Sequence, residues 1–346
     1  MKVVDMHCDT ISALLKKRRA NETASLLEND IHISIGKMKE GDYLLQNFAL
    51  FVEKEACRDP WEEVQALIEF YKLELAKHGE WIAPVLSYGD IKKNAAKGKI
   101  SAMLTVEEGA VCGGSLKNLR TLYHQGVRMM TLLWNYPNEL GFPNLDRVTG
   151  KNVRAAAKKE KDGETLVLTY LNTPSMRALT ETGITFIMVM EEMGMIIDVS
   201  HMSDGGFYDV LKHTKKPFVA SHSNARQICP CVRNLSDAMI RALAERGGVL
   251  GLNFCADFLT QLPFGVYNPG TIEGVVSHAK HIANVGGIDC LGLGSDFDGI
   301  DTHEILTGGD KMGLLWDALK KSGFTECELD KIFTENVLRV YREVLK

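Results

Sequence analysis

The stretch VVDMHCDT at residues 3–10 decides how the rest of this sequence is interpreted. It opens with apolar β-branched residues, which is typical of a buried strand. Successive side chains on a strand point to opposite faces, so we expect His7 and Asp9 to share one face. An imidazole beside a carboxylate at the end of a buried strand offers two ligands of the kind that zinc binds. The alternative, from this motif alone, is a core histidine beside a helix-capping aspartate.

Short apolar runs alternate with helical patterns along the whole chain. The predicted strands are Val3–Cys8, Leu45–Val52, Ile100–Glu107, Val127–Trp134, Met195–Ser200, Pro217–Ser221, Val249–Phe254 and Cys290–Ser295. The predicted helices are Pro60–Lys77, Ser115–Gln125, Ser175–Met193, Gly205–His213, Asp237–Arg246, Thr271–Val285, Lys311–Lys321 and Glu326–Val344. Eight strands alternating with helices predict an α/β fold, a (β/α)8 barrel of the TIM type. We expect one domain over residues 1–346, because barrels of this length are often single domains.

The longest connection between predicted strands runs from about residue 135 to residue 173. It contains Pro137, Pro143 and Gly150, and a cluster of lysine and glutamate residues around Lys158–Lys161. Long connections of this kind are often functional loops. We therefore expect a surface loop with helical patches, lying over the mouth of the barrel.

The charge and hydropathy of the chain argue against two classes of partner. The formal net charge is −5 and there is no long basic run, so we expect no nucleic-acid binding. No apolar stretch is long enough to span a bilayer, and Asp5, His7 and Asp9 interrupt the start of any signal peptide. The eight scattered cysteines are typical of small buried side chains rather than of a disulfide framework. We therefore expect a cytoplasmic protein without a membrane anchor.

Histidines and carboxylates recur where the predicted strands end, and barrel enzymes hold their chemistry at this end of the strands. In chain order these residues are His7, Asp9, Glu107, Glu108, Asp198, His201, His222, Asp296 and Asp298. Three histidines together with acids on several strands predict a hydrolytic site with two metal ions. A shared carboxylate would hold such ions about 3.5–4 Å apart, and a bridging water would ionise near neutral pH.

Taken in order, these motifs resemble those of the renal (membrane) dipeptidase family over nearly the whole chain. The motifs are DMHCD at 5–9, VE at 106–107, IDVSH at 197–201, SHSNAR at 221–226, RN at 233–234 and GSDFDG at 294–299. The ordinary amidohydrolase pattern has His-x-His on the first strand and a carbamylated lysine on the fourth. This chain has His-x-Asp and no lysine in its fourth predicted strand, and both differences favour the dipeptidase family.

The resemblance implies two Zn²⁺ ions per chain, bridged by a carboxylate and a water or hydroxide. The ligands it implies are His7 and Asp9 for the first ion, Glu107 as the bridge, and His201 and His222 for the second ion. Asp296, rather than Asp298, would orient the attacking water, contact the substrate amino group and move protons. Arg233 would bind the substrate carboxylate through its guanidinium, with Arg226 as the competing candidate. The family pattern favours Glu107 over Glu108, since the bridging glutamate directly follows the last apolar residue of its strand.

The resemblance breaks at the end of the fourth predicted strand. Mammalian members carry a substrate-facing histidine there, whereas this chain has Trp134. An indole N–H can donate one hydrogen bond but cannot stabilise charge as an imidazole can. We keep Trp134 as a candidate substrate-binding residue, and substrate preference stays open.

Several positions stay open from the sequence alone. Asp5 is either an acceptor that orients the imidazole of His7 or simply a buried polar residue. Strand alternation places Asp198 opposite His201, unless the strand ends or bulges between them. His278 and His281 lie three residues apart on a predicted helix and could chelate a metal, but that helix should pack outside the barrel.

The predicted function is a zinc-dependent dipeptidase that acts on dipeptides through attack by a metal-bridging hydroxide. Acceptance of a D-residue at the C-terminal position stays open. One alternative is a metal-dependent amidase or deacylase of N-acyl amino acids, and another is a non-catalytic barrel that binds ligands. Members of the family are often homodimers, so a homodimer is also open.

Overall fold

The computed structural model describes residues 1–145, 153–160, 163–170, 174–262, 267–300 and 304–346. The strands are β1 (Val3–Asp5), β2 (Tyr43–Phe51), β3 (Ile82–Pro84), β4 (Ile100–Glu107), β5 (Val127–Thr131), β6 (Val153–Glu160), β7 (Gly163–Tyr170), β8 (Ile196–Asp198), β9 (Val219–Ser223), β10 (Val249–Leu252) and β11 (Leu291–Leu293). The helices are α1 (Thr10–Arg19), α2 (Ile35–Glu40), α3 (Pro60–Lys77), α4 (Tyr88–Ala96), α5 (Leu116–Gln125), α6 (Glu181–Met193), α7 (Asp204–His213), α8 (Asp237–Glu245), α9 (Ala256–Leu259), α10 (Ile272–Gly286), α11 (Met312–Lys321), α12 (Glu326–Asp330) and α13 (Asn336–Val344).

Parallel pairing closes eight of these strands into a barrel, in the order β1-β2-β4-β5-β8-β9-β10-β11. Asp5 of β1 pairs with Leu293 of β11, so the last strand returns to the first. The short strand β3 pairs with the start of β4, from Ile100 to Ala102. The predicted (β/α)8 barrel is therefore confirmed, with β3 as an addition that the sequence did not reveal.

The prediction that the first strand extends to Cys8 is wrong, because β1 ends at Asp5 and both His7 and Asp9 follow it, although Cys8 between them still forms an isolated β-bridge with Phe297. The chain nevertheless stays beside the segment after β11, where the Asp9 N–H donates to the carbonyl of Phe297 at 2.9 Å. Asp9 directly precedes α1, yet its carboxylate caps no N–H group of this helix. The alternative of a helix-capping aspartate is therefore not supported.

The long connection contains an antiparallel hairpin, in which β6 pairs with β7 along their whole length. The predicted helical patches are wrong for this part, since Lys158–Glu160 of the charged cluster belongs to β6. The sequence of β7, GETLVLTY, is rich in threonine, valine and tyrosine, which favour strands. Lys161 and Gly150 lie outside the described residues, and the position of the loop over the barrel mouth stays a prediction.

The predicted helices agree with the structure except at some of their ends and at one interruption. The predicted helix Pro60–Lys77 has the bounds of α3, whereas α6 begins at Glu181 and not at Ser175. The predicted C-terminal helix Glu326–Val344 is divided by a π-helical turn at Lys331–Glu335. No helix in the described ranges is both long enough and apolar enough to cross a bilayer.

The lower end of the barrel is closed by apolar side chains from the strands and from α13. This cluster includes Val4, Met6, Leu45, Met103, Met129, Ile196, Val219, Val249, Val337, Val340 and Tyr341, all of them buried. Directly after β11, the backbone is packed so closely that a Cβ on Gly294 would lie only 1.7 Å from the carbonyl oxygen of Ser221. The interior at this end is therefore filled, and its polar groups include Asn47, which donates to the hydroxyl of Tyr341 at 2.7 Å.

Candidate metal centre

The carboxylate of Glu107, at the end of β4, lies between imidazoles that come from three other parts of the rim. Its Oε2 is 3.2 Å from His7 Nε2. Its Oε1 is 3.0 Å from His201 Nε2 and 3.6 Å from His222 Nε2. Asp9 Oδ2 approaches His7 Nε2 at 3.7 Å. The structure thus brings all five candidate ligands together, and each is buried.

The donor atoms of this centre fit divalent metal ions. His7, Glu107 and His222 form one group whose ligand atoms lie within 4.8 Å of one another, and His7, Asp9 and Asp296 form a second such group. Within the described chain, His7 Nε2 and Asp9 Oδ1 are buried without a hydrogen-bond partner. Such atoms are rare in folded proteins and call for an explanation, which an ion would supply. Imidazole nitrogens and carboxylate oxygens suit a borderline ion such as zinc.

Without a metal, the pKa shifts favour the metal-binding forms of Glu107, His201 and His222 but not those of His7 and Asp9. Burial alone would lower the pKa of His7, but the charge of Glu107 raises it well above its usual value. Burial alone would raise the pKa of Glu107, but the neighbouring imidazoles, His7 foremost, hold that pKa well below its usual value. Burial, followed by the charge of Glu107, raises the pKa of Asp9 to about 7. Burial lowers the pKa of both His201 and His222. At neutral pH Glu107 is therefore ionised and these two imidazoles are neutral, as ligands must be.

The backbone around the centre adopts conformations that non-glycine residues avoid. Glu108, His201 and Asp296 have φ angles of 95°, 67° and 64°, in each case directly after or close to the end of a barrel strand. Gly299 approaches the centre even more closely, because a Cβ there would lie 2.0 Å from Asp9 Oδ2. The local backbone is thus shaped to turn His201 and Asp296 toward the centre and to leave room for Asp9.

Of the two aspartates after β11, Asp296 is the one that faces the centre. Its Oδ1 lies 3.8 Å from His7 Nε2. Asp298 instead accepts hydrogen bonds from the backbone N–H of His32 at 2.6 Å and from Thr10 Oγ1 at 2.5 Å. Asn253 donates to Asp296 Oδ2 at 2.9 Å. The sequence reasoning missed Asn253, although its position just after β10 is the signal that identified the other residues.

Of the two candidate arginines, Arg226 is already engaged, since both of its terminal nitrogens donate to Asp204 at 2.8 Å. Arg233 is buried and makes only longer contacts, from Nη2 to the carbonyl of His222 at 3.2 Å and from Nη1 to Ser223 Oγ at 3.5 Å. Its Nε has no hydrogen-bond partner among the described residues. The geometry therefore favours Arg233 as the group that can receive an anion.

The comparisons with known proteins agree with this geometry. The sequence model of the membrane dipeptidases, peptidase family M19, matches residues 1–346. The chain belongs to this family. A Klebsiella pneumoniae relative, described as an uncharacterized protein in the pqqA 5′ region, is 33% identical over 290 residues, which are 83% of this chain and 97% of that one.

Two further proteins are similar over most of the chain. Dipeptidase tcpJ of Claviceps purpurea (strain 20.1) is 28% identical over 86% of this chain and 63% of its own length. A metallo peptidase from Rhodobacter sphaeroides, solved with a phosphinate mimic of the dipeptide L-Ala-D-Ala, has the same fold, with a TM-score of 0.83 at 22% identity over 99% of each chain. The resemblance inferred from the motifs is therefore confirmed, and the chain is a member of a family of metallo-dipeptidases.

In this member of the dipeptidase family, Trp134 forms part of an aromatic wall beside the centre. Its ring centroid lies 6.3 Å from that of His201 and 4.8 Å from that of Phe51. The segment that follows is held by Glu108, which accepts from the backbone N–H of Trp134 at 3.4 Å and from Asn138 Nδ2 at 2.6 Å. Burial raises the pKa of Glu108 to about 7. Glu108 thus secures this loop while Glu107 faces the imidazoles.

The remaining open positions have structural partners. Asp5 accepts hydrogen bonds from the backbone N–H groups of His7 and Ser295, and its carboxylate does not orient the His7 ring. His278 Nδ1 accepts from the backbone N–H of Ala225 at 3.0 Å. His281 Nε2 lies 2.7 Å from Asp237 Oδ1. Within the described residues, neither of these helical histidines takes part in the candidate metal centre.

Proposed function

We propose that this chain is a dipeptidase with two zinc ions, which share Glu107 as their bridging ligand. The observation that carries the proposal is the position of the two Glu107 oxygens. Oε2 faces His7, beside Asp9, and Oε1 faces His201 and His222. Each oxygen thus serves a different set of nitrogen and oxygen donors, which is the arrangement that a shared carboxylate requires.

The metal ions, when bound, supply a Lewis acid that polarises the peptide carbonyl and an acidified water for attack on it. The protein must then bind and orient the peptide and move the protons. Asp296 lies beside the centre, and Asn253 holds its Oδ2, so Oδ1 is aimed at the site. A carboxylate in this position can receive the substrate amino group and can transfer a proton to the leaving nitrogen.

Arg233 supplies a charge opposite to that of Asp296 on the same rim. Its Nη2 donates to the backbone carbonyl of His222, which places the guanidinium beside the centre. A guanidinium can bind a carboxylate through two parallel hydrogen bonds. A substrate with one free amino group and one free carboxylate a short distance apart matches these two charges. This pairing supports dipeptides over longer peptides, in which one terminal charge would lie elsewhere.

A deacylase of N-acyl amino acids is the alternative, because such a substrate has a carboxylate for Arg233 but no free amino group for Asp296. A panel of free dipeptides, N-acetyl dipeptides, dipeptide amides and tripeptides separates the two functions. Blocking either end leaves a desolvated charge unpaired, which costs about 2–5 kcal/mol. We expect the blocked substrates to be about 30-fold to several-thousand-fold slower. Equal turnover of free and N-acetylated dipeptides would assign the chain to the deacylases.

The Arg233→Ala variant tests the carboxylate site within the same panel. We expect it to hydrolyse free dipeptides more slowly and to lose most of the preference for the free acid over the amide. An unchanged preference would move this role to another residue. Because the Rhodobacter sphaeroides protein was solved with a mimic of L-Ala-D-Ala, the panel includes dipeptides with a D-residue at the C-terminal position.

The cysteines support a proposal for the cellular setting. All eight cysteines, each of them in the described ranges, are unpaired. Unpaired buried thiols favour a reducing compartment, so we propose the cytoplasm. The homodimer stays a prediction, which light scattering at several protein concentrations can test.

A further inference from the structure

The outer nitrogens of the three imidazoles have different partners. His201 Nδ1 lies 2.9 Å from Asn135 Oδ1. His222 Nδ1 lies 2.7 Å from Ser221 Oγ, and this hydroxyl donates to Asp198 Oδ2 at 2.6 Å. His7 Nδ1 is buried without a hydrogen-bond partner in the described part of the chain. A buried carboxylate is therefore connected through a hydroxyl to the ring of His222.

The direction of each hydrogen bond around Asp198 follows from its partners. Its Oδ1 accepts from the backbone N–H groups of Ser200 at 3.0 Å and Ser221 at 2.8 Å, and these groups can only donate. Its Oδ2 lies 2.5 Å from Thr131 Oγ1 and 2.6 Å from Ser221 Oγ. An ionised carboxylate accepts only, so both hydroxyl protons must point at Asp198.

The single hydroxyl proton of Ser221 is therefore committed to Asp198, and Ser221 Oγ can only accept from its other neighbours. The neighbour at 2.7 Å is His222 Nδ1, which must then carry the ring proton. The opposite nitrogen, Nε2, then carries no proton, and it faces Glu107 Oε1 at 3.6 Å and His201 Nε2 at 2.9 Å, from which it can accept a hydrogen bond. The chain of hydrogen bonds thus selects the one neutral tautomer that can bind a metal through Nε2.

We infer that Asp198 and Ser221 are positioning residues for the second metal, which act by holding the Nδ1–H tautomer of His222. The inference rests on the proposed two-metal site. His201 lacks this control, because the side-chain amide of Asn135 can present either its oxygen or its NH₂ group after rotation. Neither Asp198 nor Ser221 touches the metal position itself, so both act through His222.

The first test measures zinc affinity in the Ser221→Ala variant, with Ser295→Ala as the matched control. Both serines are fully buried, and each donates to an aspartate on a neighbouring strand, at 2.6 Å for Ser221 and 2.7 Å for Ser295. Ser295 contacts backbone atoms rather than a ring. Zinc titration of the metal-free proteins against a competing chelator should show second-site affinity weakened roughly 10–100-fold in Ser221→Ala. The control should stay within about threefold of the wild type.

The Asp198→Asn variant gives a stronger version of this test. The two backbone N–H donors require an oxygen at the Oδ1 position, so the new amide NH₂ must occupy the Oδ2 position. It would donate to Ser221 Oγ and turn the serine proton toward His222, which moves the ring proton to Nε2. We expect a larger loss of second-site affinity than in Ser221→Ala, although the shape of the side chain is conserved.

The tautomer itself can be measured in the metal-free protein, without any substrate. Nitrogen-15 NMR of histidine-labelled protein, assigned with His222→Gln, should show His222 protonated at Nδ1 in the wild type and in Ser295→Ala. In Asp198→Asn the proton should move to Nε2. A wild-type proton on Nε2, or second-site affinity in Ser221→Ala equal to that of the control, overturns the inference.

A failure of this inference can be distinguished from a failure of the proposed dipeptidase activity. A protein that hydrolyses no dipeptide but still shows the expected tautomer and the expected loss of metal affinity keeps the inference and loses the function. A protein that hydrolyses dipeptides while Ser221→Ala binds both ions normally keeps the function and loses the inference.

Discussion

Each of two halves of the barrel mouth contains a buried aspartate that accepts hydrogen bonds from a serine on the neighbouring strand, and the two serines have different further contacts. In the half formed by β1 and β11, Asp5 accepts the backbone N–H and the hydroxyl of Ser295, at 2.9 and 2.7 Å. In the half formed by β8 and β9, Asp198 accepts the corresponding groups of Ser221, at 2.8 and 2.6 Å. In both halves the residue after the serine faces the centre, as a carboxylate in one and as an imidazole in the other.

The halves differ in what the serine touches next. Ser295 Oγ also contacts backbone atoms, the carbonyl of His7 and the N–H of Phe297. Ser221 Oγ contacts the imidazole of His222. Burial raises the pKa of Asp5, whereas the pKa of Asp198 is lowered because His222 and Ser221 outweigh burial. The same pair of residue types therefore fixes the backbone in one half and orients a ligand in the other.

The largest effect is expected at Glu107, the residue that joins the two halves. Glu107→Gln removes the shared charge, so we expect both metal sites to weaken and turnover to fall to background. His201→Ala should empty mainly the second site, because its ring faces only Oε1 of Glu107. Elemental analysis after dialysis compares the two variants. Full occupancy of either site in Glu107→Gln would show that the halves bind their ions independently.

The next largest effect is expected at Asp296, which lies beside His7 in the half formed by β1 and β11 but is not a proposed metal ligand. Asp296→Asn should keep both ions and lower the turnover rate roughly 10²–10⁴-fold, the usual size of a general acid–base contribution. Metal content and turnover are measured on the same preparation. If metal is lost in proportion to activity, Asp296 is a ligand and the first half holds its ion differently from this account.

A smaller and more selective effect is expected at Gly299. A Cβ there would lie 2.0 Å from Asp9 Oδ2 and 2.9 Å from Asp296 Oδ1, so Gly299→Ala should displace both carboxylates. We expect first-site affinity to fall roughly 10–100-fold while second-site affinity changes little. The measurement is zinc titration, with Gly313→Ala as the control, since a Cβ at Gly313 would meet no atom within 4 Å. Equal weakening of both sites would mean that the halves are not separable.

The weakest effect at neutral pH concerns acid stability beside the second half. His278 is buried, accepts from the backbone N–H of Ala225 and lies 3.0 Å from the carbonyl of Leu259. Burial lowers its pKa to about 4. Between about pH 6.5 and 4 the unfolded chain therefore binds a proton that the folded chain does not, and folding stability falls as the pH drops.

The size of this effect follows from the pKa difference, about 3 kcal/mol lost between pH 6.5 and pH 4. Urea unfolding of the metal-free protein across this range gives the slope. His278→Asn should be less stable at neutral pH but should show a flatter dependence on pH. Identical slopes in the two proteins would remove His278 as the cause.

The sequence was sufficient for the barrel and for the set of candidate ligands, because both depend on position along a strand. The ends of the apolar runs marked Glu107, Glu108, His201 and His222 as candidates, and the family resemblance favoured Glu107 over Glu108. The exact strand ends were less predictable. β1 stops at Asp5, whereas the predicted strand extends to Cys8.

The residues that the sequence did not reveal are those whose roles depend on a partner distant in the chain. Asn253 donates a hydrogen bond to Asp296, which lies 43 residues later in the chain. Ser221 donates to Asp198 on the neighbouring strand, and its proposed role depends on this contact. Arg226 and Arg233 could not be separated until Asp204 was seen to engage the former. Such pairings are set by strand register, which local patterns do not contain.

The central claim is that each half of the mouth holds one ion and that Glu107 bridges them. The most direct test is anomalous diffraction at the zinc edge, from crystals of the protein loaded with zinc. This account predicts two peaks about 3.5–4 Å apart, one beside His7 and Asp9 and one beside His201 and His222, with Glu107 between them. A single peak at full zinc saturation, or two peaks of which only one contacts Glu107, would contradict it.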